Sequence, residues 1–382
     1  MALLGHCTLI ELSYHADSAV RSSSEHPLAM IQAHRERAHV WNMLWTGYRP
    51  KVVHPNLYWL PMKKNDGLLA IAKQVVAINE GTYEWPAKPV VNPLEVALFG
   101  GISGRSMDVD EFELCSGLTV RRTFAHVMAP YLLAFDRPKS PHAPHPAPWK
   151  SAHGGIGFNV DVEVAVGSET RPTGLDRLNT IWWVLALLRL VSGTPVRMPV
   201  ISDMPFSSIA TAPHEPNLWT IEMSPRQLQL SRNPAPTITF AHLEWVRSVF
   251  IAAAPLLDEP AFNRAFQTLD SVTFAHSPGS ALLMTWASIE TLFRPGRVAI
   301  GKSLCSCVAT FLQPAGSERD RLFTQAMELY EARGGAIHDS QSPELDQLIN
   351  SYEIARLSVI SCLERRATPN RTDLLDRWRR RT

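Results

Sequence analysis

Apolar and polar positions alternate most clearly between Ile156 and Val166. Every second residue in this segment is apolar, and Asn159, Asp161 and Glu163 occupy positions between them. A period of two places successive side chains on opposite faces of a strand. The segment therefore predicts a β-strand with one apolar and one polar face.

One long helix is predicted before residue 230. Residues 175–191 form an apolar run that Thr173 can cap, with Asp176 three residues later, and that Gly193 can end. The other segments of this region are short and rich in β-branched and aromatic residues, which predicts strands. They are Cys7–Ser13, Leu57–Leu60, Phe112–Phe124, Val196–Ile201 and Leu218–Met223. We expect residues 1–230 to form a mixed α+β domain.

The pattern changes after the proline-containing segment at residues 231–236. Apolar residues then recur every three or four positions, as on one face of a helix. The predicted helices are Phe240–Ala254, Pro260–Leu269, Ser280–Phe293, Lys302–Leu312, Ser317–Ile337, Pro343–Arg366 and Asp373–Arg380. Short connections favour an antiparallel bundle. The expected fold is thus an α+β region followed by an all-α domain at residues 231–382, with its core at about 280–366.

The amino-acid composition indicates a globular protein rather than a disordered or membrane-spanning one. The chain has 382 residues, of which 45% are hydrophobic and 19% charged, enough for packed cores in two or three domains. A net charge of +1 gives no general attraction for nucleic acid, so such a partner needs a local basic patch. The most apolar stretch, residues 181–191, is too short to span a bilayer, and residues 1–4 lack a signal-peptide pattern. Five scattered cysteines favour reduced thiols in a cytoplasmic protein without a membrane partner.

Two segments resemble ligand sites but are predicted to have other roles. The glycine-rich residues 100–105 lack the Lys-Ser/Thr ending of a phosphate-binding loop, which favours a plain turn. The proline-rich residues 137–150 contain His142 and His145 without a neighbouring carboxylate or cysteine, which favours an exposed loop with solvated histidines. We therefore expect neither a metal nor a cofactor.

The candidate chemistry lies in residues 329–339, which read LYEARGGAIHD. His338 can both accept and donate a proton, because the unperturbed imidazole pKa is about 6.5. Arg333 carries a permanent charge on a planar group suited to phosphate oxygens. The same Arg–His spacing occurs at three earlier places in the chain, but only this one lies in a helical pattern. The pair suits metal-free cleavage of a phosphodiester beside a 2′-hydroxyl.

Helix geometry indicates how such a pair would have to act. Five residues separate Arg333 and His338 by about 140° around the helix and by roughly 7.5 Å along it. One helix therefore does not easily direct both groups at one phosphate. Two copies related by a two-fold axis can do so, because residues of both then line one cleft. The chemistry thus predicts a homodimer formed through the C-terminal helices.

The order of features from residue 281 to about 364 resembles the HEPN superfamily, in particular its Apea-like branch. The first helix, residues 281–293, contains Glu290 and resembles the "alE.L" helix of that branch. Residues 300–312 fit its second helix, residues 329–339 match its "lY..R...H" signature, and residues 345–363 fit its closing helix. The resemblance is confined to this C-terminal region.

The resemblance implies a dimeric helical domain and, for many members, a metal-independent endoribonuclease in phage defence or a toxin. Arg333 and His338 would be the catalytic pair. Glu290, Tyr330 and Asp339 would support them, Glu290 by pairing with Arg333. A trigger or inhibitor would act on the N-terminal region.

Other interpretations stay open. The C-terminal arginines Arg365, Arg366, Arg379 and Arg380 form a locally basic tail that can contact RNA phosphates or be a solvated face. Arg333 can be a structural ion-pair partner of Glu290 or Glu331, and His338 a residue favoured at a helix end by the dipole. Gly334 stands where family members usually carry a polar residue, which favours a non-catalytic module that dimerises or binds RNA or protein, with the N-terminal region as a sensor.

Overall fold

The computed structural model describes residues 96–139, 145–146, 148–223, 227–232, 234–296, 298–338 and 342–380. The strands predicted at Cys7–Ser13 and Leu57–Leu60, and the loop histidine His142, lie outside these residues.

The described part before residue 230 is built on an antiparallel sheet of six strands in the order β3-β4-β5-β1-β6-β7. The strands are β1 (Leu98–Ser103), β3 (Glu111–Cys115), β4 (Leu118–Ala134), β5 (Trp149–Val166), β6 (Arg197–Ser202) and β7 (Leu218–Thr220). Two short strands, β2 (Ser106–Met107) and β8 (Thr237–Ile238), pair in parallel beside it. The strands predicted at residues 156–166 and 196–201 are therefore present. The segment predicted at 112–124 is divided into β3 and β4 by a turn at residues 116–117, and only Leu218–Thr220 of the segment predicted at 218–223 is a strand.

The alternating segment forms the C-terminal part of β5, as predicted, but its apolar residues do not share one core: Phe158 and Val160 pack with Phe206 in a cluster separate from the one that contains Val162, Val164 and Val166. Val162, Val164 and Val166 are fully buried on the apolar face. Glu163, between them in sequence, is also fully buried. Its carboxylate pairs with Arg121 of β4 and accepts a hydrogen bond of 2.7 Å from the backbone N–H of Phe206.

The prediction of a turn at the glycine-rich segment was wrong for its first half. Gly100 and Gly101 lie inside the central strand β1, and the left-handed turn comes only at Gly104 (φ 73°). A Cβ on Gly100 would lie 2.6 Å from the sulfur of Met198, and one on Gly101 would lie 2.9 Å from the ring of Phe206. Close packing on both faces of the sheet therefore requires the two glycines.

Helix α1 (Arg177–Ser192) packs against this sheet and is buried over most of its length. Gly193 ends it in the left-handed conformation (φ 62°), as predicted. The predicted cap at Thr173 was wrong: Asp176 is the N-cap, and its carboxylate accepts a hydrogen bond of 2.9 Å from the backbone N–H of Asn179. Asp176 immediately precedes the first turn of α1, so its side chain, rather than that of Thr173, reaches the free backbone N–H groups at the start of the helix.

Each helix predicted after residue 236 is present, with shifts of a few residues at its ends. The helices are α2 (Phe240–Phe250), α3 (Pro260–Ser271), α4 (Pro278–Phe293), α5 (Ile300–Leu312), α6 (Ser317–His338), α7 (Leu345–Arg365) and α8 (Arg371–Arg379). The first ends at Phe250 rather than Ala254, and a 3-10 turn at Ala254–Asp258 follows.

The apolar core continues from the sheet through α1 into the helices after residue 236. Trp183 of α1 is fully buried, donates a hydrogen bond of 3.0 Å to the carbonyl of Phe250 and packs against the ring of Phe266 of α3. Within the helical part, α4 carries the buried side chains of Trp286 and Phe293. Of the helices that the structure describes, none is both long enough and apolar enough to cross a bilayer.

Candidate functional site

Packing of α4 against α6 brings three of the predicted site residues together. Tyr330 and Arg333 are three residues apart on α6 and therefore share a face, which lies against Glu290 of α4. Arg333 Nη1 lies 2.9 Å from Glu290 Oε1, and the hydroxyl of Tyr330 donates a hydrogen bond of 3.2 Å to the same oxygen. One carboxylate oxygen thus holds both the cation and the phenol.

Aromatic packing fixes the orientation of these groups. The guanidinium of Arg333 lies 5.3 Å from the ring centre of Tyr330, within the range of a cation–π contact. The Tyr330 ring in turn packs edge-on against the buried Trp286, with ring centres 5.2 Å apart. Gly301 of α5 closes the third side, since a Cβ at that position would lie 2.9 Å from the Tyr330 ring. The cluster is therefore shaped by α4, α5 and α6.

The electrostatics of the cluster keep Tyr330 protonated. Burial raises the pKa of its phenol, the Glu290 carboxylate raises it further, and Arg333 opposes the shift. The phenol is therefore a hydrogen-bond donor to Glu290 at neutral pH. The side chains of Arg333 and Glu290 are 23% and 28% exposed. The Nε of Arg333 is buried and has no hydrogen-bond partner among the described residues.

His338 is the last residue of α6, five positions after Arg333. The structure describes its backbone only, and Asp339 lies outside the described residues. The structure thus brings Glu290, Tyr330 and Arg333 together, whereas the positions of the His338 imidazole and of Asp339 relative to them stay predictions.

Gly334 does not interrupt the helix that carries the motif. Helix α6 runs from Ser317 to His338 through both Gly334 and Gly335. A Cβ at Gly334 would meet no atom within 4 Å. Neither a turn nor close packing therefore requires this glycine, and a side chain fits at the position.

The C-terminal arginines are mostly engaged with the protein itself. Arg365 donates a hydrogen bond of 2.9 Å to the carbonyl of Phe311 and lies over that ring, so it closes the end of α5. Arg366 is the left-handed C-cap of α7. Arg379 pairs with Asp376 at 3.0 Å, and Arg380 donates to the carbonyl of the same residue. All four are exposed, so contact with RNA phosphates stays a prediction.

Sequence reasoning missed Trp286 and Gly301. Trp286 precedes Glu290 by four residues, so helical spacing is the signal that could have placed the two on one face. Gly301 had no such signal, because its contact with Tyr330 depends on how α5 packs against α6.

The described cysteines Cys115, Cys305, Cys307 and Cys362 are free thiols. Within the described ranges, no group of three or more His, Cys, Asp or Glu side chains is arranged to hold a metal ion.

No protein-family model, curated protein or solved structure matches this chain. The interpretation of the site therefore depends on its own residues and geometry.

Proposed function

We propose that this chain is a metal-independent endoribonuclease of the HEPN type that cleaves RNA as a homodimer. The observation that carries the proposal is the side chain of Arg333, 23% exposed, which Glu290 and Tyr330 hold in a defined orientation on the helix that ends at His338. A fixed cation followed on the same helix by an imidazole supplies both transition-state stabilisation and proton transfer.

The proposed reaction is a transesterification. His338 accepts the proton of the 2′-hydroxyl, whose oxygen attacks the adjacent phosphorus, and the bond to the 5′-oxygen breaks. The imidazole of the second copy donates a proton to the departing 5′-oxygen. Arg333 stabilises the negative charge that accumulates on the phosphorane-like transition state. The products are a 2′,3′-cyclic phosphate and a 5′-hydroxyl, and a strand without 2′-hydroxyls is not cut.

The decisive experiment compares three single variants of the purified full chain on labelled RNA in the presence of EDTA. We expect His338→Ala and Arg333→Ala each to lose activity by a factor of about 100 or more, the usual contribution of a general acid–base or an oxyanion donor. Arg321→Ala is the matched control, because it removes a guanidinium from the same helix that is 74% exposed and pairs with Glu318.

The chemical groups at the ends of the RNA fragments distinguish cleavage by this enzyme from cleavage by a contaminating nuclease. We expect a cyclic phosphate on the 3′ end of the upstream fragment and no cleavage of a substrate with a 2′-deoxy nucleotide at the scissile position. RNA decay at the same rate in wild type and His338→Ala, or cleavage of the deoxy substrate, excludes this site as the source of activity.

We propose that the enzyme acts either in defence against phage or as a toxin. In both cases the region before residue 230 would hold its activity in check. Expression of the wild-type chain, once triggered, should then arrest cell growth in a manner that depends on His338. Growth arrest that persists in His338→Ala would separate toxicity from RNA cleavage.

A second function, a non-catalytic module that dimerises or binds RNA or protein, is favoured by one specific observation. Arg333 already has an ion pair with Glu290 and a cation–π contact with Tyr330, as expected of a structural arginine. In this case wild-type protein does not cut RNA, and Arg333→Ala lowers the unfolding temperature instead. Measuring both quantities on the same preparations distinguishes the two functions.

A further inference from the structure

The connection between α4 and α5 adjoins the candidate site at both of its ends. It begins at Arg294, whose backbone N–H donates a hydrogen bond of 2.9 Å to the carbonyl of Glu290. It ends at the start of α5, where Gly301 lies against the ring of Tyr330. The connection is therefore next to both of the residues that hold Arg333 in place.

Positive charge accumulates around this connection. Residues 291–317 contain three Lys or Arg and no Asp or Glu. Arg294 and Lys302 are exposed, and α8 contributes the guanidinium of Arg371, whose Nη2 would lie 2.5 Å from a Cβ on Gly296. None of the three cations forms an ion pair with a carboxylate of the described residues. We call Arg294, Lys302 and Arg371 the α4–α5 cations.

The stability of the fold does not account for these three charges. Lys302 lies in the first turn of α5, and Arg371 is the first residue of α8. The helix macrodipole is positive at this end, so it disfavours a cation there and favours an anion. Arg294 ends α4 in the left-handed conformation (φ 48°), where glycine is the usual residue. Each cation thus lies where stability alone would favour another residue, which is typical of groups that bind a ligand.

We infer that the α4–α5 cations bind the phosphates of the RNA strand on one side of the linkage that Arg333 contacts. The inference rests on the proposed function for the identity of the ligand, and it adds where the flanking nucleotides lie. A net charge of +1 gives the whole chain no attraction for RNA, so a local group of unpaired cations has to supply it. Val298 (81% exposed) and Ile300 (41%) on the same connection offer apolar surface to the faces of unstacked bases.

The first test measures the affinity of the full chain for a fluorescent RNA of about 12 nucleotides, at several NaCl concentrations and with EDTA. His338→Ala is the parent protein, so that the strand is not cut. We expect Arg294→Gln/Lys302→Gln to bind at least about fivefold more weakly and to lower the slope of log K against log salt by about 1.4, because each phosphate contact with a single strand contributes roughly 0.7. Arg137→Gln/Arg264→Gln is the matched control: it removes two exposed arginines, one between β4 and β5 and one on α3, and should change neither quantity.

Binding and cleavage are scored separately, so that the inference and the proposed function can fail independently. Equal affinity and slope in the Arg294→Gln/Lys302→Gln variant and the control overturn the inference, and so does a parent protein without affinity for RNA. Binding that depends on the α4–α5 cations in a chain that cuts no RNA supports the inference and contradicts the nuclease. Cleavage by Arg294→Gln/Lys302→Gln with the KM of the wild type supports the nuclease and overturns the inference.

A second test does not depend on changes of charge. Val298 is replaced by photoreactive benzoylphenylalanine, and the full chain is irradiated with the same RNA. The control carries this residue at Leu345, which is 64% exposed and lies near the other end of α4, since Pro343 approaches Gly279 there. Cross-links to RNA from position 298 that exceed those from position 345 at least about tenfold support the inference. Equal cross-linking from the two positions, or cross-links from 298 only to an acidic protein or a second copy of the chain, overturns it.

Discussion

Arg189 is a buried charged group that joins distant parts of the described chain. Its guanidinium is 3% exposed and pairs with Glu222, which follows β7, and with Asp270 of α3, the latter at 3.0 Å. Its Nε donates a hydrogen bond of 2.7 Å to the carbonyl of Val196. Burial opposes its charge, but the two carboxylates outweigh that effect and raise the pKa of Arg189. The group thus stays ionised and fixes three segments to α1.

Removal of this guanidinium should destabilise the fold strongly. Arg189→Met leaves two carboxylates buried without their cation, which typically costs 3–5 kcal/mol. We expect a corresponding loss in the free energy of unfolding in urea at pH 7. Arg321→Met is the control: its pair with Glu318 is exposed, so the expected loss is below about 1 kcal/mol. A loss of similar size in both variants would contradict this role of Arg189.

The same variant should show a characteristic dependence on pH. Burial already raises the pKa of Glu222, with Arg189 as the leading opposing influence, so its removal raises that pKa further. In the unfolded chain the pKa of a Glu is near 4.3. A group whose pKa is higher in the folded state stabilises the fold fully at pH values below its unfolded-state pKa, and this stabilisation is lost as pH rises through the folded-state pKa. The deficit of Arg189→Met relative to wild type should therefore be smaller at pH 4.5 than at pH 7.

At the scale of single elements, glycine has opposite roles in α6 and β1. A methyl group at Gly334 meets no atom within 4 Å, whereas one at Gly101 lies 2.9 Å from Phe206 and from Val160. Gly334→Ala should therefore stabilise the chain by about 1 kcal/mol through helix propensity. Gly101→Ala should destabilise it by roughly 1–3 kcal/mol through overpacking. Urea unfolding of both variants measures the two effects, and a destabilising Gly334→Ala would show that the motif helix requires its glycine.

Local patterns sufficed for most of the elements. The helices after residue 236 follow from apolar spacing, and the C-terminal part of β5 follows from the alternation that begins at Ile156, because both periods are present in neighbouring residues. The first part of β5 was not predicted, and its first two residues, Trp149 and Lys150, lie in the segment predicted as a loop. The glycines of β1 were misinterpreted because what requires them is Met198, Ile181 and Phe206, which are far away in sequence. Choosing Asp176 over Thr173 as the cap of α1 likewise depends on where the first hydrogen bond forms.

Some residues of the candidate site could likewise be predicted from local spacing, whereas others depend on how the helices pack. The spacing of Tyr330 and Arg333 on one helix predicts that the two share a face, and the pairing of Arg333 with Glu290 was among the interpretations that the sequence left open. The involvement of Trp286 and Gly301 depends on the packing of three helices, which no local pattern contains.

At the scale of the whole molecule, contacts across residue 231 are both apolar and polar. Trp182 and Trp183 of α1 pack against Phe266 of α3, with ring centres 5.7 Å and 4.9 Å apart. Arg356 of α7 donates a hydrogen bond of 2.5 Å to the carbonyl of Leu190. The proline-containing segment at 231–236 marked a change of secondary structure, but sequence alone does not reveal how much surface the two parts share.

This continuity predicts that residues 231–382 are not an independent folding unit of full stability. Without α1, the buried side chains of Phe250 and Phe266 become partly exposed to solvent. Asp270 also loses its ion pair with the buried Arg189. We expect the fragment to bind a hydrophobic dye and to melt at lower temperature and with less cooperativity than the full chain. A fragment of residues 96–382 is the matched control, because it keeps α1 and every described contact of the core. If 231–382 melts as sharply and at the same temperature as 96–382, the helical part folds alone, and its toxicity in cells can then be compared directly with that of the whole chain.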